Sequence, residues 1–313
     1  LTDSSNIGAG LSIPYFWSIA KDKDLTVTPR YYVSGYPLFL TEYRQDFKNS
    51  YLILDSSFTK GYKKTSNTKL AGSRSHFFSR FDMNLIDENL KTSNIEINLQ
   101  VLSNDTYLKV HDINTELADS SYGVLENTFN YNYQHEDLFF SSTVSAYENL
   151  TIVDRSKYEY LLPYINFEKN LVTSPKYGFL DLASQIKVRN YDVNKQTEFL
   201  VNDFNWKSNR WISDFGFENQ LLGSLKTVNY NAKNASEFKT EDTNTEVSGV
   251  VGYLGKLNLN KKNVKNKDNY FLTPKFLLRY APGHMRDIDG GRLKYTNLFK
   301  LNKVNEFDVL ENG

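Results

Sequence analysis

Ile95-Glu96-Ile97-Asn98-Leu99-Gln100-Val101 alternates apolar and polar residues without a break. Successive side chains of a strand point to opposite faces, so this segment has one apolar face and one wet face. The same period recurs on both sides of it. Phe129, Tyr131 and Tyr133 alternate with Asn130, Asn132 and Gln134. Leu180, Leu182, Ile186 and Val188 stand against Asp181, Gln185, Lys187 and Arg189. From 211 to 225, Phe215, Phe217, Leu221 and Leu225 share a face opposite Asp214, Gly216, Glu218 and Gln220, which predicts one continuous strand there.

The stretches between these strands are polar. Residues 61–72, 112–121, 231–245 and 258–269 are rich in Asn, Lys, Ser, Thr and Asp and predict loops. Asn49-Ser50, Glu136-Asp137 and Lys207-Ser208-Asn209 predict tight turns. Short turns alternating with long polar loops are the pattern of outer-membrane barrels, where a strand and its connection take roughly 20 residues. The chain is therefore expected to be all-β, with roughly 14–16 strands of a large antiparallel transmembrane β-barrel. A soluble sandwich or barrel shows the same alternation, so the pattern alone leaves that fold open. Its strands are usually about 5–6 residues, whereas 211–229 and 245–259 run longer. No linker, heptad or fixed repeat divides the chain, so 1–313 is expected to be a single segment of one barrel domain.

Composition narrows the function classes. Mean hydropathy is −0.54, and no apolar run approaches the ~18 residues of a membrane helix. There are 22 Tyr and 21 Phe but only 3 Trp, a bias suited to strands and to a membrane–water boundary. A formal net charge of +0 argues against a nucleic-acid partner. Without cysteine, the segment holds no disulfide and no thiolate metal site.

His76, His111, His135 and His284 are scattered, with no pair four residues apart and no HExxH, so no metal centre is expected. Asp287-Ile288-Asp289-Gly290 hints at a calcium loop, but Leu298 stands where the twelfth-position glutamate would be, so a turn is expected. No nucleophile elbow, phosphate loop or Ser/His pair on one strand face is evident, so no catalytic residue, no cofactor and no enzymatic activity are expected. Lys256, Lys261, Lys262, Lys265 and Lys267 predict a solvated loop, or contact with anionic lipid headgroups if the loop faces outward.

Two prolines break the pattern. Pro14 lies in Ile13-Pro14-Tyr15-Phe16-Trp17-Ser18-Ile19-Ala20, and Pro29 in Leu25-Thr26-Val27-Thr28-Pro29-Arg30-Tyr31-Tyr32. Proline cannot donate to a ladder and belongs at an edge or a bulge. The residues alone allow two readings: strand starts or bends, or a weakened seam between two facing strands.

These residues also carry a resemblance. Pro14-Tyr15-Phe16-Trp17, then Asp24, then Thr26-Val27-Thr28-Pro29 resemble the barrel opening of the LptD (OstA) lipopolysaccharide-assembly family. Glu42-Tyr43-Arg44, Leu272-Thr273-Pro274-Lys275 and Asn297-Leu298-Phe299 with Asn302 and Asp308 are similar to later segments of it, in a style closest to alphaproteobacterial members. The middle of the chain matches in pattern only. The resemblance implies a bacterial outer-membrane translocon that inserts lipopolysaccharide into the outer leaflet through a lateral gate. It implies an LptE-like plug lipoprotein, a periplasmic Lpt bridge protein reached through an N-terminal domain, and surrounding outer-membrane lipids as partners. Pro14 and Pro29 would loosen the gate, with Tyr15, Phe16, Trp17, Tyr31 and Tyr32 near the seam or the membrane boundary. Leu1 is not a start residue and Glu311-Asn312-Gly313 reads as a turn into another strand, so the N-terminal domain and the final strands are expected outside this segment. A porin-like diffusion channel or another barrel transporter is the alternative.

Overall fold

The computed structural model describes residues 2–4, 7–61, 72–88, 91–235, 244–262 and 269–280. The turn expected at 287–290, His284, Lys265, Lys267 and the segment 297–308 lie outside the described residues.

The chain divides into two compact units. The first comprises residues 1–136, 141–164 and 189–194. Its opening strands are β1 (Thr2–Ser4), β2 (Gly8–Ser12), β3 (Tyr15–Ala20), β4 (Lys23–Tyr32) and β5 (Leu38–Asp46). They are followed by β6 (Ser50–Lys60), β7 (Ser73–Glu88), β8 (Lys91–Leu102), a short helix α1 (Tyr107–His111) and β9 (Val124–His135). From β3 to β9 each strand pairs antiparallel with the next, a simple meander. Strands β10 (Leu138–Asn149), β11 (Tyr158–Ser174) and β12 (Gly178–Tyr191) contribute residues to both units.

The second unit comprises residues 137–140, 165–188 and 195–313. It contains β13 (Lys195–Lys207), β14 (Trp211–Ile212), β15 (Phe217–Lys233) and β16 (Asn244–Leu257). A separate hairpin of β17 (Leu259–Lys262) and β18 (Asn269–Leu272) precedes β19 (Lys275–Tyr280), which pairs with β16. β15 pairs on one side with β13 and on the other with β16 over nearly its whole length. Its register sets Lys226 beside Asp203, and the buried Lys226 Nζ lies 3.0 Å from the carboxylate.

The all-β antiparallel expectation holds. Nineteen strands occur among the described residues, seventeen of them outside the β17–β18 hairpin. This slightly exceeds the expected number because long crossings are broken into pieces. One break falls at Ile13-Pro14. The other corrects the continuous strand expected from 211 to 225. Ser213 to Gly216 form a tight turn, with Gly216 at φ +80° and Phe215 86% exposed at its tip. Trp211 and Ile212 fold back onto Asn219 and Glu218. Turn chemistry at Asp214-Phe215-Gly216 outweighed an alternation that continues through it. One loop expectation is also corrected: the polar stretch 258–269 contains strand β17. The loop expected at 112–121 is found, preceded by a helix that period-two reading overlooks.

Candidate functional site

The two prolines sit in one register. β2 pairs with β4 as Gly10↔Tyr32 and Ser12↔Arg30, and β3 with β4 as Tyr15↔Val27 and Trp17↔Leu25. The pairing thus continues across Pro14 without a slip. Pro14 falls opposite Thr28, and Pro29 opposite Ile13, so the prolines are diagonal neighbours rather than directly facing.

The ladder shows what each proline removes. Ile13 N–H donates to the Pro29 carbonyl at 3.0 Å. An antiparallel pair of this kind normally exchanges two bonds. Pro29 has no N–H to return to the Ile13 carbonyl, so the β2/β3–β4 ladder loses one bond there. Backbone groups alternate sides along a strand. Since Ile13 points towards β4, residue 14 points towards the opposite, outer edge. Proline at 14 therefore removes a donor from that edge. β1 covers the outer edge along Gly8–Gly10. β3 pairs with β4 on its inner side.

The proposed seam aromatics divide between the two faces. Tyr15, Trp17 and Tyr31 lie on one face and are at least half exposed. Phe16 is equally exposed but belongs to the other face. Tyr32 is buried on that second face, where its hydroxyl donates to the His111 carbonyl at 2.9 Å.

The two faces differ in a way that a water-soluble sheet does not. One registered row across β4 to β8 reads Thr28, Leu40, Ser57, His76, Leu102, and the next reads Thr26, Glu42, Asp55, Phe78, Gln100. Polar groups of these rows are buried: Asp55 is 1% exposed and His76 2%. The opposite face carries Phe39, Phe58, Phe77, Leu99, Val101 and Phe129, all more than 40% exposed. An exposed apolar face over a polar one is the pattern of a barrel wall with lipid outside and a wet interior.

The polar face is partly covered by residues 103–123, which connect β8 to β9. Tyr107, Leu108, Ile113 and Ala118 from this loop bury themselves against Leu38, Leu40 and Phe78. Beneath them lies a polar network that the sequence reading did not assemble. Ser57 Oγ is 2.6 Å from His76 Nδ1 and 2.8 Å from the Tyr107 hydroxyl. His76 Nε2 lies 3.2 Å from Asp55 Oδ1, close but not aligned as a hydrogen bond. Thr115 Oγ1 donates to the other oxygen of Asp55. Ser, His and Asp thus meet, but each is at least 95% buried beneath the loop. The arrangement offers no path for a substrate and serves to fix the loop to the wall. A signal was present in the sequence: Asp55, Ser57 and His76 are polar residues at same-face positions of neighbouring strands. Only the strand register reveals it.

Arg30, next to Pro29, closes the other side of the loop. Its Nη1 donates to the carbonyls of His111 at 2.8 Å and Asp112 at 3.1 Å, where α1 ends. Its Nε donates to Ser12 Oγ at 3.1 Å across the strand pair. Burial, and then the charge of Arg30, lower the His111 pKa from the ordinary 6.5 to about 4. A free imidazole takes up its proton near 6.5, the docked one only near 4. Docking is therefore at full strength above about pH 6.5 and weakens as pH falls towards 4, by at most about 3 kcal/mol. Hydrogen exchange of residues 106–113, corrected for intrinsic rates, should speed up across that window. A flat profile would remove His111 as the cause.

Comparison with known proteins supports a partial relationship. No family model matches the chain. It is 27% identical over 176 residues to LPS-assembly protein LptD of Nitrosococcus oceani, covering 54% of this chain and 21% of that protein. It is 25% identical over 223 residues to LPS-assembly protein LptD of Legionella pneumophila strain Lens, covering 66% and 24%. The protein of that name from the Paris strain is 27% identical over 156 residues, 47% of this chain and 18% of its own length. The alignments thus span about a fifth to a quarter of these curated relatives. The resemblance to the LptD family holds over half to two thirds of the chain. The alphaproteobacterial leaning finds no support in these relatives.

Proposed function

We propose that this chain is a wall segment of an outer-membrane barrel that assembles lipopolysaccharide into the outer leaflet, and that β2–β4 form one side of its lateral seam. The observation that carries the reading is the proline pair. Pro29 removes a bond within the first strand pair, and Pro14 removes a donor from the edge that a closing strand would use. Relatives bearing the LPS-assembly name and the exposed apolar face support the outer-membrane setting. No covalent step is needed. A polar inner face accepts charged sugars while a parted seam leaves acyl chains in hydrocarbon, so neither half crosses a hostile medium. Partners under this reading are lipopolysaccharide, an LptE-like plug lipoprotein, a periplasmic bridge protein and outer-membrane lipids. The test is depletion of the full-length protein in its own cells. Newly made lipopolysaccharide should stop reaching the surface and accumulate inside, and return on re-expression. Unchanged surface delivery after verified depletion would refute the reading.

A further inference from the structure

We propose that residues 103–123 are a strap that locks the strand pair beside the proline break, and that it must lift for substrate to pass. The inference rests on the seam reading above and adds a moving part to it. The strap has two separate anchorages. Towards β6, Tyr107 bonds Ser57, and Thr115 bonds Asp55. The Thr115 hydroxyl also accepts from the Ala118 N–H at 3.0 Å, which ties the strap to itself at that point. Towards β4, Arg30 and Tyr32 together hold the carbonyls of His111 and Asp112.

Arg30 makes the second anchorage specific to the seam. It directly follows Pro29, and its Nε reaches Ser12, two residues before Pro14. One guanidinium therefore ties β2, β4 and the end of α1 together next to the ladder bond that Pro29 cannot make. Its fork of donors suits several carbonyl and hydroxyl acceptors at once. The first strand pair, weak in backbone bonds, is held by a side chain whose position depends on the docked strap. The docked strap also covers the polar face that a sugar-bearing substrate would need. Lifting it both uncovers that face and releases Arg30 from two of its acceptors.

The test uses the full-length protein with its partners. A cysteine pair Asp55→Cys/Thr115→Cys, in a segment with no other cysteine, locks the strap when oxidised. With crosslinking verified by gel mobility, surface delivery of lipopolysaccharide should fall at least fivefold and recover on reduction. Equal delivery in the oxidised and reduced states overturns the proposal. Should the pair fail to assemble, Arg30→Met gives an independent reading. Purified in detergent, it should be cut by trypsin after the exposed Lys109 about tenfold faster than the parent, while the barrel remains folded. An unchanged cleavage rate overturns the anchorage. The proline variants discussed below probe the seam without touching the strap. A silent crosslink beside blocking proline variants sinks the strap alone, whereas silence from both sinks the seam as well.

Discussion

Replacing Pro14 with valine and Pro29 with threonine in the full-length protein is expected to lower delivery of lipopolysaccharide to the surface by roughly thirtyfold. Each substitution restores a backbone N–H, at residue 29 opposite the Ile13 carbonyl and at residue 14 on the outer edge, where the closing strand of the proposed seam would supply the acceptor. Residue 29 would complete the pair with Ile13, whose N–H already donates to the residue 29 carbonyl. Residue 14 would regain a donor on the outer edge. A net hydrogen bond contributes about 0.5–1.5 kcal/mol, so two contribute about 2 kcal/mol. At ~1.4 kcal/mol per factor of ten, the open seam would be populated roughly thirtyfold less. The single variants separate the two roles. Pro29→Thr stiffens the strand pair itself, whereas Pro14→Val strengthens only the contact with the closing strand. If the seam is the exit, Pro14→Val alone should slow export. Normal surface delivery in the double variant, with normal amounts of assembled protein, would end the lateral-seam proposal.

Much of this was legible in the sequence, and the reason is periodicity. Ile95 to Val101 and Phe129 to Tyr133 specify strand and face together, because a one-residue slip would exchange the whole apolar face for the polar one. The prolines were legible as anomalies, but not as a diagonal pair acting on different edges. That distinction depends on which way each backbone group points, and only the register fixes it. The turn at Asp214-Phe215-Gly216 was missed because its residues happen to continue the alternation. The strap was missed for a different reason. Thr115 lies in a stretch that reads as a polar loop, with Tyr107 and His111 just before it, and their partners Asp55, Ser57 and Arg30 are 50 to 81 residues away. Contacts of that range leave no local pattern. Tyr32 shows the same limit: as an aromatic at a strand end it suggests a membrane boundary, yet its hydroxyl is committed to the strap.

The buried network beneath the strap should show its strength through non-additivity. His76→Leu is expected to destabilise the folded barrel by about 3 kcal/mol. It strips the buried Asp55 side chain of the imidazole beside it and leaves it only the Thr115 hydroxyl. It also removes the acceptor or donor that faces Ser57. For a domain of this size the loss corresponds to a drop of roughly 6 °C in the temperature at which the folded form is lost. Asp55→Leu should be costly in the same way, because the buried His76 Nε2 then loses the oxygen beside it. The double variant Asp55→Leu/His76→Leu should cost much less than the two singles combined, since it buries apolar groups where neither polar side chain remains. A coupling of about 2 kcal/mol separates this account from simple loss of packing, which would add. If the singles summed to the double within about 0.5 kcal/mol, Asp55 and His76 would be independent fillers of the wall, and the strap would be held by its apolar residues and Arg30 instead.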